Sequence, residues 1–182
     1  MLLYTDIISG DELFSDAYPI KEIDDIAYEV DCQMITIKEG DVDIGANPSA
    51  EGGDEGVEES AQTVNNVVYS FRLTETAFDK KSYMSYIKGY MKALKKKLEE
   101  SNPERIPAFE KGAAALVKKI LGNFKDYEFF VGESMDPEGM VCLLNYRDDG
   151  VTPYFTFFKD GLKEQKLVSV FVFFLWAASK IP

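Results

Sequence analysis

Apolar residues recur along this chain at two different spacings, and the spacing changes twice. In the first 38 residues they come in short runs broken by polar turns. Leu2, Leu3, Tyr4, Ile7 and Ile8 precede the polar turn Ser9-Gly-Asp-Glu12, and Ile26–Val30 and Met34–Lys38 carry the β-branched and aromatic content of strands. Asn66–Arg72 resumes a strand pattern. The step then lengthens: Tyr83, Ile87, Tyr90, Met91, Leu94 and Leu98 recur every three or four residues, predicting a helix from Asp79 to Ser101. Asp79 suits its cap, Asn102-Pro103 its end, and Lys88, Lys92, Lys95 and Lys96 are expected largely opposite the apolar face. A second helix is expected from Pro103 or Glu104 to Phe124, with Ile106, Phe109, Ala113, Val117, Ile120 and Phe124 inward. The short connection makes the pair an antiparallel hairpin. Strand patterns return at Tyr127–Val131, Met140–Tyr146 and Tyr154–Phe158, separated by turns at Met135–Gly139 and Asp148–Gly150. Strands, a hairpin of helices, then strands: the chain reads as an α+β domain with a largely antiparallel sheet.

Residues 39–63 break both patterns. They hold eight acids, no base, and one proline, with four glycines beyond Gly40. Such a segment buries too little apolar surface to offset the entropy of ordering it, so a mobile acidic loop is expected over 39–65. Asp41-Val-Asp43-Ile-Gly45 begins like a calcium-binding helix-loop-helix segment. It then departs, with Gly45, Ala46 and Gly52 at the fifth, sixth and twelfth positions. A solvated acidic loop is the simpler reading.

Charge follows this division. The 182 residues carry 20 Lys+Arg against 32 Asp+Glu, a net charge of −12. Setting the eight loop acids apart leaves −4 for the other 157 residues, so the body is nearly balanced. The bulk acidity argues against direct nucleic-acid binding. Seven lysines (80, 81, 88, 92, 95, 96 and 97) nevertheless stand on the first hairpin helix. They read either as a solvated face or as a basic stripe steering towards an acidic partner.

Catalytic chemistry finds little material. The chain has no histidine, which removes Ser-His-Asp and Cys-His catalysis and most catalytic zinc sites. Its two cysteines, Cys32 and Cys142, lie far apart with no CxxC, and read as reduced, buried thiols. No phosphate loop, GxGxxG or GxSxG occurs, so the chain is not expected to be an enzyme or to need a cofactor. The start Met-Leu-Leu-Tyr-Thr-Asp6 lacks the basic and long apolar stretches of a secretory signal.

Longer motifs carry a resemblance. Ile44-Gly-Ala-Asn-Pro-Ser-Ala-Glu51 and Phe129-Phe-Val-Gly-Glu-Ser-Met-Asp-Pro-Glu-Gly-Met-Val141, continuing to Asn145-Tyr-Arg-Asp-Asp-Gly150, resemble the two signatures of the translationally controlled tumour protein family, in a fungal flavour. Ser9–Glu12, Lys80–Tyr83, Ser101–Arg105 and Phe157–Leu162 look like further family landmarks, so the resemblance covers about residues 1–167 as one domain. It implies a β-tent core, similar to a zinc-binding Rab accessory protein, with a projecting helical hairpin over about 76–124 and a disordered acidic loop. Zinc is not carried over, since the CxxC pairs are missing. The resemblance implies a cytoplasmic calcium-binding, microtubule-associated protein involved in protein synthesis, growth and stress response, also found at the mitochondrial surface under stress. Tubulin contact falls on the hairpin, here Lys88, Lys92, Lys95 and Lys96. Contact with a Ras-like small GTPase falls on Glu12, and weak calcium ligation on Asn47 and Glu128. Translation factors are further implied partners; general chaperone or anti-apoptotic binding is an alternative role.

The chain departs from the family after Leu167. Leu167–Ser179 is thirteen residues without a charge, short of the about 20 a spanning helix needs, and no transmembrane segment is expected. Val168-Ser169 is encodable as GTA-AGT, the start of a eukaryotic intron, and residues 168–182 are hypothesised to be translated intron. Transcripts reading uniformly through this junction, rather than splicing to a stop after Leu167, would refute that origin.

Overall fold

The computed structural model describes residues 1–38 and 61–167. The acidic stretch 39–60, with Asn47, and the apolar tail 168–182 lie outside the described residues.

Six strands form the main sheet, in the order β3-β4-β10-β9-β8-β7. They are β3 (Ile20–Ile23), β4 (Ala27–Asp31), β7 (Thr74–Thr76), β8 (Glu128–Val131), β9 (Cys142–Tyr146) and β10 (Pro153–Phe158). Each neighbouring pair is antiparallel. β10 is central and all six of its residues are buried, because this strand is covered on both faces. Phe155 pairs with Val30 on one side and Leu144 on the other, and Phe157 stacks on Phe14 with ring centroids 4.4 Å apart.

A second sheet, β11-β1-β2, joins Leu162–Lys166 (β11), Leu2–Asp6 (β1) and Glu12–Ser15 (β2). A third pairs β5 (Met34–Lys38) with β6 (Ala61–Asn65). The expected loop over 39–65 is therefore too long at its far end: Ala61–Asn65 are a strand in register with β5. The strand expected at Asn66–Arg72 is a helix, α1 (Asn66–Phe71). Val-Val-Tyr-Ser-Phe favours strands, but the Asn65 side chain accepts from the Val67 and Val68 N–H groups at 2.9 and 3.3 Å and nucleates a turn. Arg72 closes that helix in the left-handed region at φ 53°.

The hairpin consists of α2 (Lys80–Ser101) and α3 (Ile106–Gly122), joined through a 3₁₀ turn at Pro103–Arg105. Asp79 caps α2 as expected: its carboxylate accepts from Ser82 N at 2.6 Å, and Asp79 N donates to the Ser82 hydroxyl at 3.1 Å. Tyr83, Ile87, Tyr90, Leu94 and Leu98 are buried, while Met91 is only partly covered. On α3 the buried residues are Phe109, Ala113, Leu116 and Ile120. Leu116 was missing from the expected face, and Val117 is half-exposed.

The hairpin is fixed at its tip. Arg105 makes a two-pronged contact with Asp160, Nε to Oδ1 2.9 Å and Nη2 to Oδ2 3.0 Å, and also donates to the Asp25 carboxylate and carbonyl oxygens. Asp24 and Asp25 both sit at positive φ (50° and 57°) in the turn between β3 and β4, which places the Asp25 carbonyl and carboxylate beside that guanidinium. Lys159 reaches Asp25 at 2.5 Å and Glu22 at 3.2 Å. Burial of the Asp160 carboxylate makes this pairing more consequential than an exposed one.

The N-terminal turn and the stretch Gly132–Val141 brace one another. Asp6 is buried and accepts from Ile8 N, Ser9 N, Ser9 Oγ and Met140 N. Asp11 accepts from Ser134 N and Oγ at 3.2 and 2.6 Å. A Cβ on Gly132 would lie 2.3 Å from Asp11 Oδ2, so only glycine fits there. From α2, the Tyr86 hydroxyl donates to Gly139 O at 2.7 Å and accepts from Val141 N at 2.9 Å. Two stretches more than 120 residues apart are thereby locked together beneath the hairpin.

Candidate functional site

Of the four lysines Lys88, Lys92, Lys95 and Lys96, the first three flank a groove between α2 and α3. Its apolar floor is Ile87, Met91, Phe109, Ala113, Val117 and Leu121, and its volume is about 680 Å³. Lys88, Lys92 and Lys95 line it from α2, and Lys118 and Glu110 from α3. The lysines were expected largely opposite the apolar face; Lys88, Lys92 and Lys96 are indeed exposed, while Lys88, Lys92 and Lys95 also edge the groove. Residues three and four apart share a side of a helix, so Lys88 and Lys95 flank Met91 from three before and four after it, and Lys92 follows Lys88 by four. Lys96 does not line the groove and is exposed elsewhere on α2. Lys118 and the groove itself escaped the sequence reading, because the floor needs α3 docked before Ala113, Val117 and Met91 face one hollow.

Lys88, Lys92 and Lys118 are exposed, whereas Lys95 is half-covered and donates to Glu110 at 2.6 Å. That hydrogen bond, with the attraction of the carboxylate, raises the Lys95 pKa above its ordinary value. Four lysines against one glutamate make the groove basic within an acidic chain.

Glu12 lies apart from the groove, at the exposed start of β2. It borders a small polar cleft with Gly10, Asp11, Ser70, Arg72 and Glu133. Arg72 donates to Glu133 at 2.8 Å, and this contact raises the Arg72 pKa. The Glu12 side chain makes no hydrogen bond or ion pair among the described residues. Glu128 opens β8, exposed and opposite Leu144. Among the described residues, no group of three or more carboxylate or thiol side chains is placed to hold a metal ion, at Glu128 or elsewhere. Asn47 lies outside the described residues.

The cysteines are free and buried. Burial pushes the Cys32 thiol up to about 11 and the Cys142 thiol higher still. Both are thus poor nucleophiles. No helix among the described residues is long and apolar enough to cross a membrane.

The described residues thus form a sheeted body carrying a tethered helical hairpin, with a lysine-bordered groove on the hairpin and a small polar cleft at Glu12. A family model described as translationally controlled tumour protein matches residues 1–163. The translationally controlled tumour protein homologue of Schizosaccharomyces pombe is 71% identical over 167 residues, covering 91% of this chain and 99% of its own. That of Saccharomyces cerevisiae is 62% identical over 167 residues, covering 92% and 100%. Among solved structures, the Schizosaccharomyces pombe protein superposes with a TM-score of 0.79 at 70% identity, covering 92% of this chain and 100% of that one. The Caenorhabditis elegans protein does so with a TM-score of 0.69 at 33% identity, covering 93% and 100%. This chain belongs to the translationally controlled tumour protein family.

Proposed function

We propose that the protein is a non-enzymatic, cytoplasmic binding protein that associates with microtubules through the basic face of its hairpin. The carrying observation is the set of lysines at 88, 92, 95 and 118 around an exposed groove on a chain of net charge −12. Tubulin exposes acidic tails, and a local cationic face steers such a partner into register even when the whole molecule is anionic. Lys96 extends that face beyond the groove. Roles in protein synthesis, growth and stress response follow from what is tethered there. Co-sedimentation with microtubules should weaken as salt rises and on Lys92→Glu or Lys96→Glu; indifference to both sinks the reading.

A second reading rests on Glu12. Its unengaged, exposed carboxylate at the mouth of a polar cleft is free to meet a cation of a Ras-like small GTPase. Nucleotide release from such a GTPase should then accelerate with the wild-type protein and not with Glu12→Ala. No acceleration at stoichiometric protein removes this reading.

A further inference from the structure

We infer that the hairpin groove is a receptor for one α-helix of a protein partner, amphipathic and acid-flanked, rather than a general cationic surface. The inference rests on the reading that this face of the hairpin meets the partner, and it names what the partner inserts.

Three observations carry it. The floor is apolar: Ile87, Met91, Ala113, Val117 and Leu121 are side chains that attract no acidic polymer, yet they lie where a purely electrostatic face would be polar. The cations are distributed along the groove, not gathered at one end. Lys88, Lys92 and Lys95 follow one wall over seven residues, about 10 Å of helix, and Lys118 stands on the other wall. A fatty acid or other amphiphile with a single anionic head would be matched by cations at one end only. Charges on both walls match an occupant with acids along both flanks of an apolar stripe. The groove is also concave, shaped between two antiparallel helices, and that form takes a third helix better than it takes a flat bilayer. Two to three turns of helix, with anchors at i, i+3 or i+4, and i+7, span the length over which the lysines are spaced.

The charge complementarity is therefore ordered. Exposed Lys88, Lys92 and Lys118 are available to flanking acids, and the Lys95–Glu110 pair closes one part of the border. Desolvated apolar anchors supply affinity, while the lysines set orientation and on-rate.

The test uses the full-length protein and a fluorescent helical peptide with leucines at i, i+3, i+4 and i+7 and glutamates on both flanks. Fluorescence anisotropy should show saturable binding, and a polyglutamate peptide of equal charge should bind at least about tenfold more weakly. Ala114→Phe fills the groove from an exposed helical position without changing charge, and Lys118→Glu reverses one wall. Each should weaken the leucine–glutamate peptide about tenfold, with circular dichroism unchanged. Lys96→Glu, an equal charge change outside the groove, should leave that peptide nearly unaffected. Equal binding of polyglutamate, equal loss in Lys96→Glu, or indifference to Ala114→Phe overturns the inference. So does preferential capture by anionic phospholipid vesicles, self-association abolished by Ala114→Phe, or tighter peptide binding after truncation at Leu167. The first of these assigns the groove to a membrane, the second to another copy, the third to the chain's own tail. Microtubule binding that survives Ala114→Phe but falls in Lys96→Glu leaves the proposed function standing without this receptor. Peptide binding with salt-indifferent microtubule sedimentation does the reverse.

Discussion

Lys95 on α2 donates to the Glu110 carboxylate on α3, Nζ to Oε1 2.6 Å, so one of the three groove lysines of α2 is already engaged within the hairpin. Both side chains remain partly open to solvent, at 43% and 53% exposure. A pair that exposed contributes little to folding, and its more consequential effect is on what the groove offers a partner. Glu110 is also the sole acid lining the groove among the described residues.

Removing that acid should therefore strengthen partner binding. Glu110→Gln keeps the side-chain shape, frees Lys95 and raises the local positive charge. Microtubule affinity at low salt is expected to rise several-fold, with an unchanged thermal midpoint. In about 1 M salt, where the Debye length falls to about 3 Å, the variant and wild type should converge. Co-sedimentation at the two ionic strengths measures this, and equal affinity at low salt would show that Lys95 takes no part.

The attachment of the hairpin tip makes a separate prediction about stability. Arg105 satisfies the buried Asp160 carboxylate with two hydrogen bonds and adds the Asp25 oxygens. Arg105→Ala would leave Asp160 without its cation, at a cost of about 2–3 kcal/mol in urea unfolding. Arg105→Lys restores charge but not the fork geometry, and should recover only part of the loss. Groove binding of the leucine–glutamate peptide should persist at denaturant-free conditions in both variants, since none of the groove's lining residues is changed.

The sequence made some of these relationships legible and hid others for physical reasons. The hairpin was readable because α2 keeps one apolar stripe over 22 residues and Asp79 and Asn102-Pro103 mark its ends. Central strands β9 and β10 were readable from continuous apolar runs bounded by turns. By contrast α1 misled, since Val67, Val68, Tyr69 and Phe71 favour strands and a single capping Asn65 reverses that preference. Ala61–Asn65 is mostly polar and exposed, so only its pairing with β5 reveals it as a strand. The four lysines looked equivalent along the chain. Docking of α3 separates them, placing Lys88, Lys92 and Lys95 on the groove and Lys96 off it. The motif Phe129–Val141 was legible as a family signature, but the bracing of Asp6, Asp11 and Tyr86 by its backbone N–H groups was not. Glu12 stood in a recognisable motif, but its freedom from local partners became visible only in three dimensions.

The turn between β9 and β10 should respond to acid. Asp149 accepts from Val151 N, Thr152 N and Thr152 Oγ1 at 2.8, 2.9 and 2.6 Å, and these bonds to the charged form, with the Thr152 hydroxyl first, lower its pKa to about 2. A depressed folded-state value means the turn's contribution is complete above the ordinary carboxylate value of 3.8 and fades as pH falls through about 2. Carboxyl-detected NMR should place the Asp149 midpoint near 2, with amide shifts at Val151 and Thr152 following it. A midpoint at the ordinary value would show that the three bonds do not persist in solution.

The two thiols should report opening of the fold in a fixed order. Protonation holds Cys32, with its pKa near 11, to about one thiolate in a thousand at pH 8, and Cys142 to fewer. Alkylation by iodoacetamide at pH 8 is thus expected to be slow in the native protein and fast in urea. Cys142 lies in β9 between β8 and β10, so exposing it requires separating the main sheet. Cys32 follows β4 and borders a surface hollow with Tyr18, Gln33 and Pro153, so a local movement suffices. Mass spectrometry should find Cys32 modified first, with Cys142 modified only in proportion to the globally unfolded population. Arg105→Ala, which loosens the whole domain, should accelerate Cys142 by the full factor of its stability loss. A variant that accelerates Cys32 alone would instead locate its disturbance at the β4 end of the sheet.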